Sequence, residues 1–337
     1  MRLWGPLPSA VVVGLACAAA VAGTDALDAD VREYVVPTPD ALPHDPAVGP
    51  DGALWFTEER ANKIGRLDPV TGHFREYPLK TPASGPHGLV ADRQGKIWFT
   101  ANTAAYVGAL DPSTGVVKEF HWKDGRVKDP HTPVFDDTGV LWFTAEESNV
   151  IGLLDPKTAA VRFLDVPTRR AQPYGIAPAP DGALYFCEFG TNKIGRVDRR
   201  SMRIREYPLT EGARPRRLAI AADGTIFYSD YERGFLGHLD PATGKVDEWP
   251  CPSGSDARPY GIAAAPDGEI WLSESGVMPN TLVRFDPRSN RFATAPIPSG
   301  GGVVRNLAIT SDGRVYLACS GMNRVAIATP RSAHAGR

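Results

Sequence analysis

Cysteine is scarce and unpatterned, four in 337 residues with no C-x-x-C pair. That excludes a disulfide framework, a thiolate zinc site and covalent haem attachment. Neither sign of charge is in excess, with 37 Lys and Arg against 39 Asp and Glu. The chain therefore lacks the basic field of a dedicated nucleic-acid binder or a polybasic membrane-surface protein. Long apolar runs are missing too. The longest nearly unbroken one, Ala10 to Gly23, falls short of the ~20 residues that a spanning helix needs. A sustained 3.6-residue period is also absent, which removes helical solenoids. What the chain has in abundance is Gly (34) and Pro (31), about a fifth of all residues, and these imply many tight turns. Hydrophobic residues make up 42% and charged residues 23%, enough apolar material for a core and no signature of disorder.

The N-terminus reads as an address. Arg2, the apolar run after it and the small-residue site Ala20-Val21-Ala22 match a secretory signal peptide over residues 1–22. The mature protein is expected to be secreted or periplasmic. Acylation of Cys17, as in a lipoprotein, fits less well because Gly14 stands where a larger aliphatic residue is usual.

The strongest pattern is repetition. DGALWFTEERANKIGRLDPVTGHFREYPL (51–79) returns as DGALYFCEFGTNKIGRVDRRSMRIREYPL (181–209). Aligned on one turn glycine, the units start at Gly52, Gly95, Gly139, Gly182, Gly224, Gly268 and Gly313, in steps of 42 to 45 residues. Three residues later each carries an aromatic: Trp55, Trp98, Trp142, Tyr185, Phe227, Trp271 and Tyr316. A period in the low forties with four short strands per unit is that of a propeller blade. In the fourth unit, residues 175–180, 183–188, 194–198 and 204–209 read as the four strands, with a two-residue hairpin turn at Asp181-Gly182. The recurrent aromatic is expected between blades, because one small sheet cannot cover its own face. The seventh unit lacks an outer strand, and Val31–Tyr34 matches Phe74–Tyr77 and Ile204–Tyr207. The expectation is an all-β, seven-bladed propeller over residues 30–329, closed by its N-terminal segment, with a disordered tail at 330–337.

Eight residues before each turn glycine an inner strand begins. That slot holds His44, His87, His131, Tyr174, Arg216, Tyr260 and Arg305. Three of the seven histidines share it in consecutive units, and proline precedes six of the seven positions, holding the chain extended. Six residues after each glycine come Glu58, Ala101, Ala145, Glu188, Asp230, Glu274 and Cys319. Antiparallel pairing of residue 175 with 188 would set Tyr174 beside Glu188 and His44 beside Glu58. One channel mouth would then carry His, Tyr and Arg backed by carboxylates. Such a rim suits solvation, but also general acid–base or hard-cation chemistry. Asp-Pro recurs at Asp68, Asp111, Asp155, Asp240 and Asp286, a position that marks a turn rather than a metal loop.

The segments PHGLVADRQGKIWFT (86–100), PYGIAPAPDGALYFCE (173–188) and NKIGRVD (192–198) resemble the streptogramin B (virginiamycin B) lyases. The resemblance runs from about residue 30 to 329. It implies a magnesium-dependent lyase that opens a cyclic depsipeptide by elimination across its ester. It also implies two histidines in the slots of the last two blades and two carboxylates beside them. Here those positions are Tyr260, Arg305, Val303 and Cys319. A rotated arrangement would use His87, His131 and His44 as acid or base. Asp129, Glu146 and Glu58 would be its carboxylates for Mg²⁺. Tyr174, Arg216, Tyr260, Arg305, Glu188 and Glu274 would bind a small or cyclic-peptide ligand. Two other readings compete. One is a non-catalytic monomeric propeller that binds a polar ligand or partner at the same mouth. The other is a lactonase-like hydrolase built on Asn306 and Glu58.

Overall fold

The structure, a computed structural model, describes residues 24–331, so the expected signal peptide and the tail beyond Arg331 lie outside the described residues. Seven antiparallel sheets form seven blades around a channel. Among the described residues the only helices are two short 3-10 turns, Gly254–Asp256 and Ser320–Met322. None is long and apolar enough to cross a membrane.

Blade 1 shows the pattern. Its inner strand is Pro43–Val48, followed by Leu54–Glu58, Lys63–Leu67 and Phe74–Pro78. The blade aromatics Trp55, Trp98, Trp142, Tyr185, Phe227, Trp271 and Tyr316 are all buried. Trp55 packs with Tyr77 of its own blade and with Leu89 and Ile97 of the next. The third strand accepts this core because glycine stands opposite the second-strand Phe. A β-carbon on Gly65 would lie 2.2 Å from Phe56 Cζ, so the ring can lie flat only over glycine.

Hydroxyls clasp neighbouring blades near the channel. Thr57 Oγ1 accepts from Asp45 N–H at 3.1 Å and donates to His87 C=O of the next blade at 2.8 Å. Thr100, Thr144, Ser229 and Ser273 repeat this in blades 2, 3, 5 and 6. In blade 4 the equivalent residue is the buried Cys187.

The ring closes as the repeat predicts. Ala29–Val35 pairs antiparallel with Arg324–Pro330 as the outer strand of blade 7, from Ala29↔Pro330 to Val35↔Arg324. Pro330, placed in the tail by sequence, thus belongs to the last strand. Blade 6 also departs from the four-strand pattern. Thr24–Ala26 adds a fifth, parallel strand against Phe292–Thr294, tied by an Asp25–Arg291 ion pair at 2.8 Å. The predicted turn residues do their expected work: Asp68 Oδ1 accepts from the N–H groups of Val70 and Thr71.

One departure decides the geometry of the channel. The hairpin joining inner and second strands has a three-residue loop, with Ala179 N–H bonded to Ala183 C=O and Gly182 N–H to Ala179 C=O. Every inner strand then carries a bulge. In blade 1 Pro43 pairs with Glu58 and Pro46 with Phe56, so His44 and Asp45 together oppose Thr57. Blade 4 pairs Pro173, not residue 175, with Glu188. A bulge gives two neighbouring side chains a similar direction where strict alternation would split them.

Candidate functional site

The inner-strand slot forms a packed ring, not a wet rim. His44, His87, His131, Tyr174 and Tyr260 are buried, none more than 8% exposed. The rings overlap in sequence around the channel: His44–His87 and His87–His131 at 3.9 Å between centroids, then His131–Tyr174 at 4.0 Å. Beyond them, the hydroxyls of Tyr174 and Tyr260 hydrogen-bond across Arg216. The Arg216 guanidinium carbon stands 3.8 Å from the Tyr260 ring centre, 4.4 Å from Tyr231, 4.7 Å from Phe189 and 4.9 Å from Tyr174. Four aromatic faces fix one cation there.

The bulge brings the residue after the slot to the channel as well. Asp45 takes two contacts from Arg217, at 2.9 and 3.1 Å, one from Asn306 at 3.2 Å and one with His44 Nδ1 at 3.0 Å. Burial pushes the Asp45 carboxyl up, but Arg217 and His44 together outweigh it and hold Asp45 far below the usual carboxylate range. Beneath the ring this layer opens into a cavity of about 350 Å³ lined by Asp45, Thr132, Arg217 and Asn306. A larger cavity, about 1250 Å³, lies on the hairpin-turn face of blades 2 to 5 beside Trp98, Phe120 and Arg199. It holds no histidine, whereas the titratable and aromatic groups of the chain converge on the ring.

The carboxylates expected behind the ring are displaced. Glu58 shares the face of Phe56 and turns outward toward Lys63 and Glu76, not to His44. Burial, with Glu76 adding, raises its pKa to about 8. Glu188 bonds Thr191 Oγ1 at 2.9 Å, and burial with Glu206 beside it raises it to about 7. Glu274 accepts from Ser253 N–H and Oγ. The carboxylates that do face the ring stand one residue later. Glu59 Oε2 is 3.9 Å from His44 Nε2, and Glu146 Oε2 is 4.0 Å from His131 Nε2. Phe189 and Tyr231 occupy the same position in blades 4 and 5 and pack on Tyr174 and Tyr260. Of the expected site residues, the structure brings His131 and Glu146 to 4.0 Å of each other. Sequence reasoning missed Glu59, Asp45, Arg217, Phe189 and Tyr231, each one residue from a slot it had found.

Titration divides the ring. Burial, reinforced by neighbouring histidines and arginines, holds His87 and His131 well below the ordinary value, so both are neutral at pH 7. His131 Nδ1 pairs with Thr132 Oγ1 at 2.9 Å, and His87 Nδ1 is buried without a protein partner. Burial lifts Glu146 to about 7 against the opposing pull of Arg216.

The residues do not fit magnesium, which asks for convergent oxygen donors. Asp129 spends its oxygens on the N–H groups of Glu147 and Ser148 and on the Ser148 hydroxyl. Glu58 turns toward Lys63 and Glu76, and Glu146 stands between His131 and the Arg216 charge. His44, Asp45 and His87 bring ligand atoms within 4.8 Å of one another, but Asp45 is already engaged by the Arg217 guanidinium. Asn306 joins Asp45 rather than Glu58, so the pair expected of a lactonase does not assemble.

Comparison with known proteins agrees with this architecture. A streptogramin B lyase structure superposes with a TM-score of 0.83 at 27% identity, covering 90% of this chain and 98% of the other. Virginiamycin B lyase from Staphylococcus aureus gives 0.82 at 24% identity, covering 90% and 100%. A catalytically inactive histidine-to-alanine variant of that enzyme with quinupristin gives 0.82 at 23% identity over the same spans. The sequence model of the virginiamycin B lyase family matches residues 16–164 and again 159–334. A ring of seven such blades, matched along nearly its whole length, places this chain in the virginiamycin B lyase family.

Proposed function

We propose that the mouth above the histidine arc is an acid–base site that opens a cyclic ester by elimination, in an exported member of the family. The observation that carries this reading is the pairing of Glu146 with His131 at the mouth, 4.0 Å apart. Elimination needs a base to take a proton from the carbon next to the one bearing the ester oxygen. The carbon–oxygen bond then breaks and a carboxylate leaves. Glu146 is the base: about half of it is ionised near pH 7, the range in which a general base works best. His131, neutral and anchored through Thr132, stands 4.0 Å from Glu146, a gap that one bridging water would close for proton relay. No step runs through magnesium, because its expected ligands point to separate places.

A second reading has its own support. Tyr260 and Arg305 fill the slots where the resemblance puts histidines, which favours a propeller that binds a polar ligand without turning it over. Quinupristin, with and without magnesium, separates the two. Ring opening without added metal is expected, followed by chromatography with tandem mass spectrometry because elimination leaves the mass unchanged whereas hydrolysis adds one water. Opening should fall about 10² to 10⁴-fold in Glu146→Gln, the usual range for a lost general base. No opening under either condition would sink the elimination reading and leave the binding one.

A further inference from the structure

A guanidinium held out of water needs acceptors for its N–H groups. Three of them crowd one buried tyrosine: the guanidinium carbons of Arg216, Arg217 and Arg305 lie 3.8, 5.8 and 6.0 Å from the Tyr260 ring centre. Asp45 serves Arg217. Arg216 reaches the Tyr174 hydroxyl at 3.3 Å and otherwise meets aromatic faces. The Nε atoms of all three arginines are buried without a protein acceptor. Arg217 is 3% exposed, while Arg216 and Arg305 remain half-buried. Of the mouth carboxylates, Glu59 sits beside His44 on the other arc, while Glu146, beside His131 at the boundary, is close enough to feel the Arg216 charge.

We propose that the Arg216–Tyr260–Arg305 sector seats a small oxyanion, a carboxylate or phosphate group carried by the ligand. Three fixed positive charges face Asp45, which is fully ionised, and Glu146, which is only about half ionised near pH 7, and this leaves a local excess that an anion would neutralise. Planar guanidinium forks match the oxygen geometry of both groups. The Tyr174–Tyr260 pair adds a donor: one hydroxyl accepts from the other, so its own proton is free for the anion. The same excess argues against a cation in the His44–Asp45–His87 cluster. This assignment rests on reading the mouth as a ligand site, but not on elimination occurring there.

The test reads binding without turnover. Inorganic phosphate and acetate are titrated separately at pH 7 and matched ionic strength, by calorimetry and thermal shift. Saturable binding of at least one is expected. It should weaken about ten- to a hundredfold in Arg305→Gln and Arg216→Gln, the loss of one charge-assisted contact, and stay unchanged in Arg126→Gln on the exposed surface. Binding of acetate alone assigns a carboxylate, and of phosphate alone a phosphate. No saturable binding of either, or equal binding in the variants, overturns the site. If a variant fails to fold, the parent protein decides: a bound anion must slow phenylglyoxal modification of Arg216 and Arg305 several-fold, read by peptide mass spectrometry. Unchanged rates overturn the site. The quinupristin assay is a separate measurement, so either reading fails without the other.

Discussion

Blades 1 to 3 and blades 4 to 7 present the same backbone slot to one channel and fill it with different chemistry. The first arc stacks three imidazoles and sets Glu59 and Glu146 over them. The second arc alternates tyrosine with arginine and sets Phe189 and Tyr231 over them. In the first, burial strips charge from His87 and His131. In the second, the charge cannot be shed, because arginine stays protonated in proteins, and aromatic faces hold it instead. Two quasi-equivalent arcs thus become a proton-handling side and a fixed-charge side. The lesson is that a repeat fixes where side chains point, while the residue type at each repeat decides what the site does.

The largest expected effect comes from cutting the link between the arcs. Asp45 of the histidine arc holds Arg217 of the other, both buried. Asp45→Ala should cost about 3–5 kcal/mol, because it strands a buried guanidinium. The double change Asp45→Leu with Arg217→Met should recover most of that. Urea unfolding of the three proteins measures it. A double variant as unstable as the single one would mean that the pair is not the connection.

A smaller effect marks the proton-handling side. The folded state raises Glu146 from the ordinary 4.5 to about 7, so between those values it holds more protons than the unfolded chain. Stability should therefore fall as pH rises from about 4.5 to 7 and level off above. Glu146→Gln removes its share of that decline, while Glu58 and Glu188 keep theirs. The variant should match the parent at pH 4 and exceed it at pH 8 by no more than about 3 kcal/mol, at ~1.4 kcal/mol per pH unit between 4.5 and 7 and less where solvent screens the partly exposed group. Thermal unfolding across pH checks this, and a variant with an unchanged pH profile would contradict it. Glu58→Gln should behave alike with its window reaching about 8, because burial beside Glu76 raises this carboxyl.

The smallest effect concerns the boundary between the arcs. Blade 4 has Cys187 where most blades use Thr or Ser to clasp the next inner strand. Burial pushes its thiol up, so it is an inert packing group. Cys187→Ser should restore the clasp and add about 0.5 kcal/mol, the low end for one hydrogen bond. A clear loss in denaturant midpoint would show that the sulfur packing against Tyr185 and Ile194 matters more.

Much of this was readable from the chain. Aromatics three residues past each turn glycine, prolines opening the inner strands and the stray outer strand at Val31–Tyr34 all recur with the period, and periodic constraints survive folding unchanged. The fifth strand of blade 6 did not announce itself. It is three residues long and pairs with a segment 268 residues away at Thr24↔Phe292, with no repeat to betray it. The slots that line the channel were legible, but not which neighbour in each turns to it. A bulge in every inner strand shifts the hairpin register, so the residue after the slot and the residue after the strand end face the channel, where unbroken alternation puts their neighbours. Asp45 and Arg217 stand out in hindsight as opposite charges in a slot otherwise filled by Gly, Thr and Asn.

The seam at blade 7 has a consequence for how the ring comes into being. Its outer strand is made near the start of the chain and its partner at the very end, from Ala29↔Pro330 onward. Six blades can assemble in the order of synthesis, but the circle stays open until the last strand has emerged. Until then both loose edges are exposed, and the longest-range contact of the molecule is the one that forms last. The protein is thus a ring whose completion waits on the strand Arg324–Pro330.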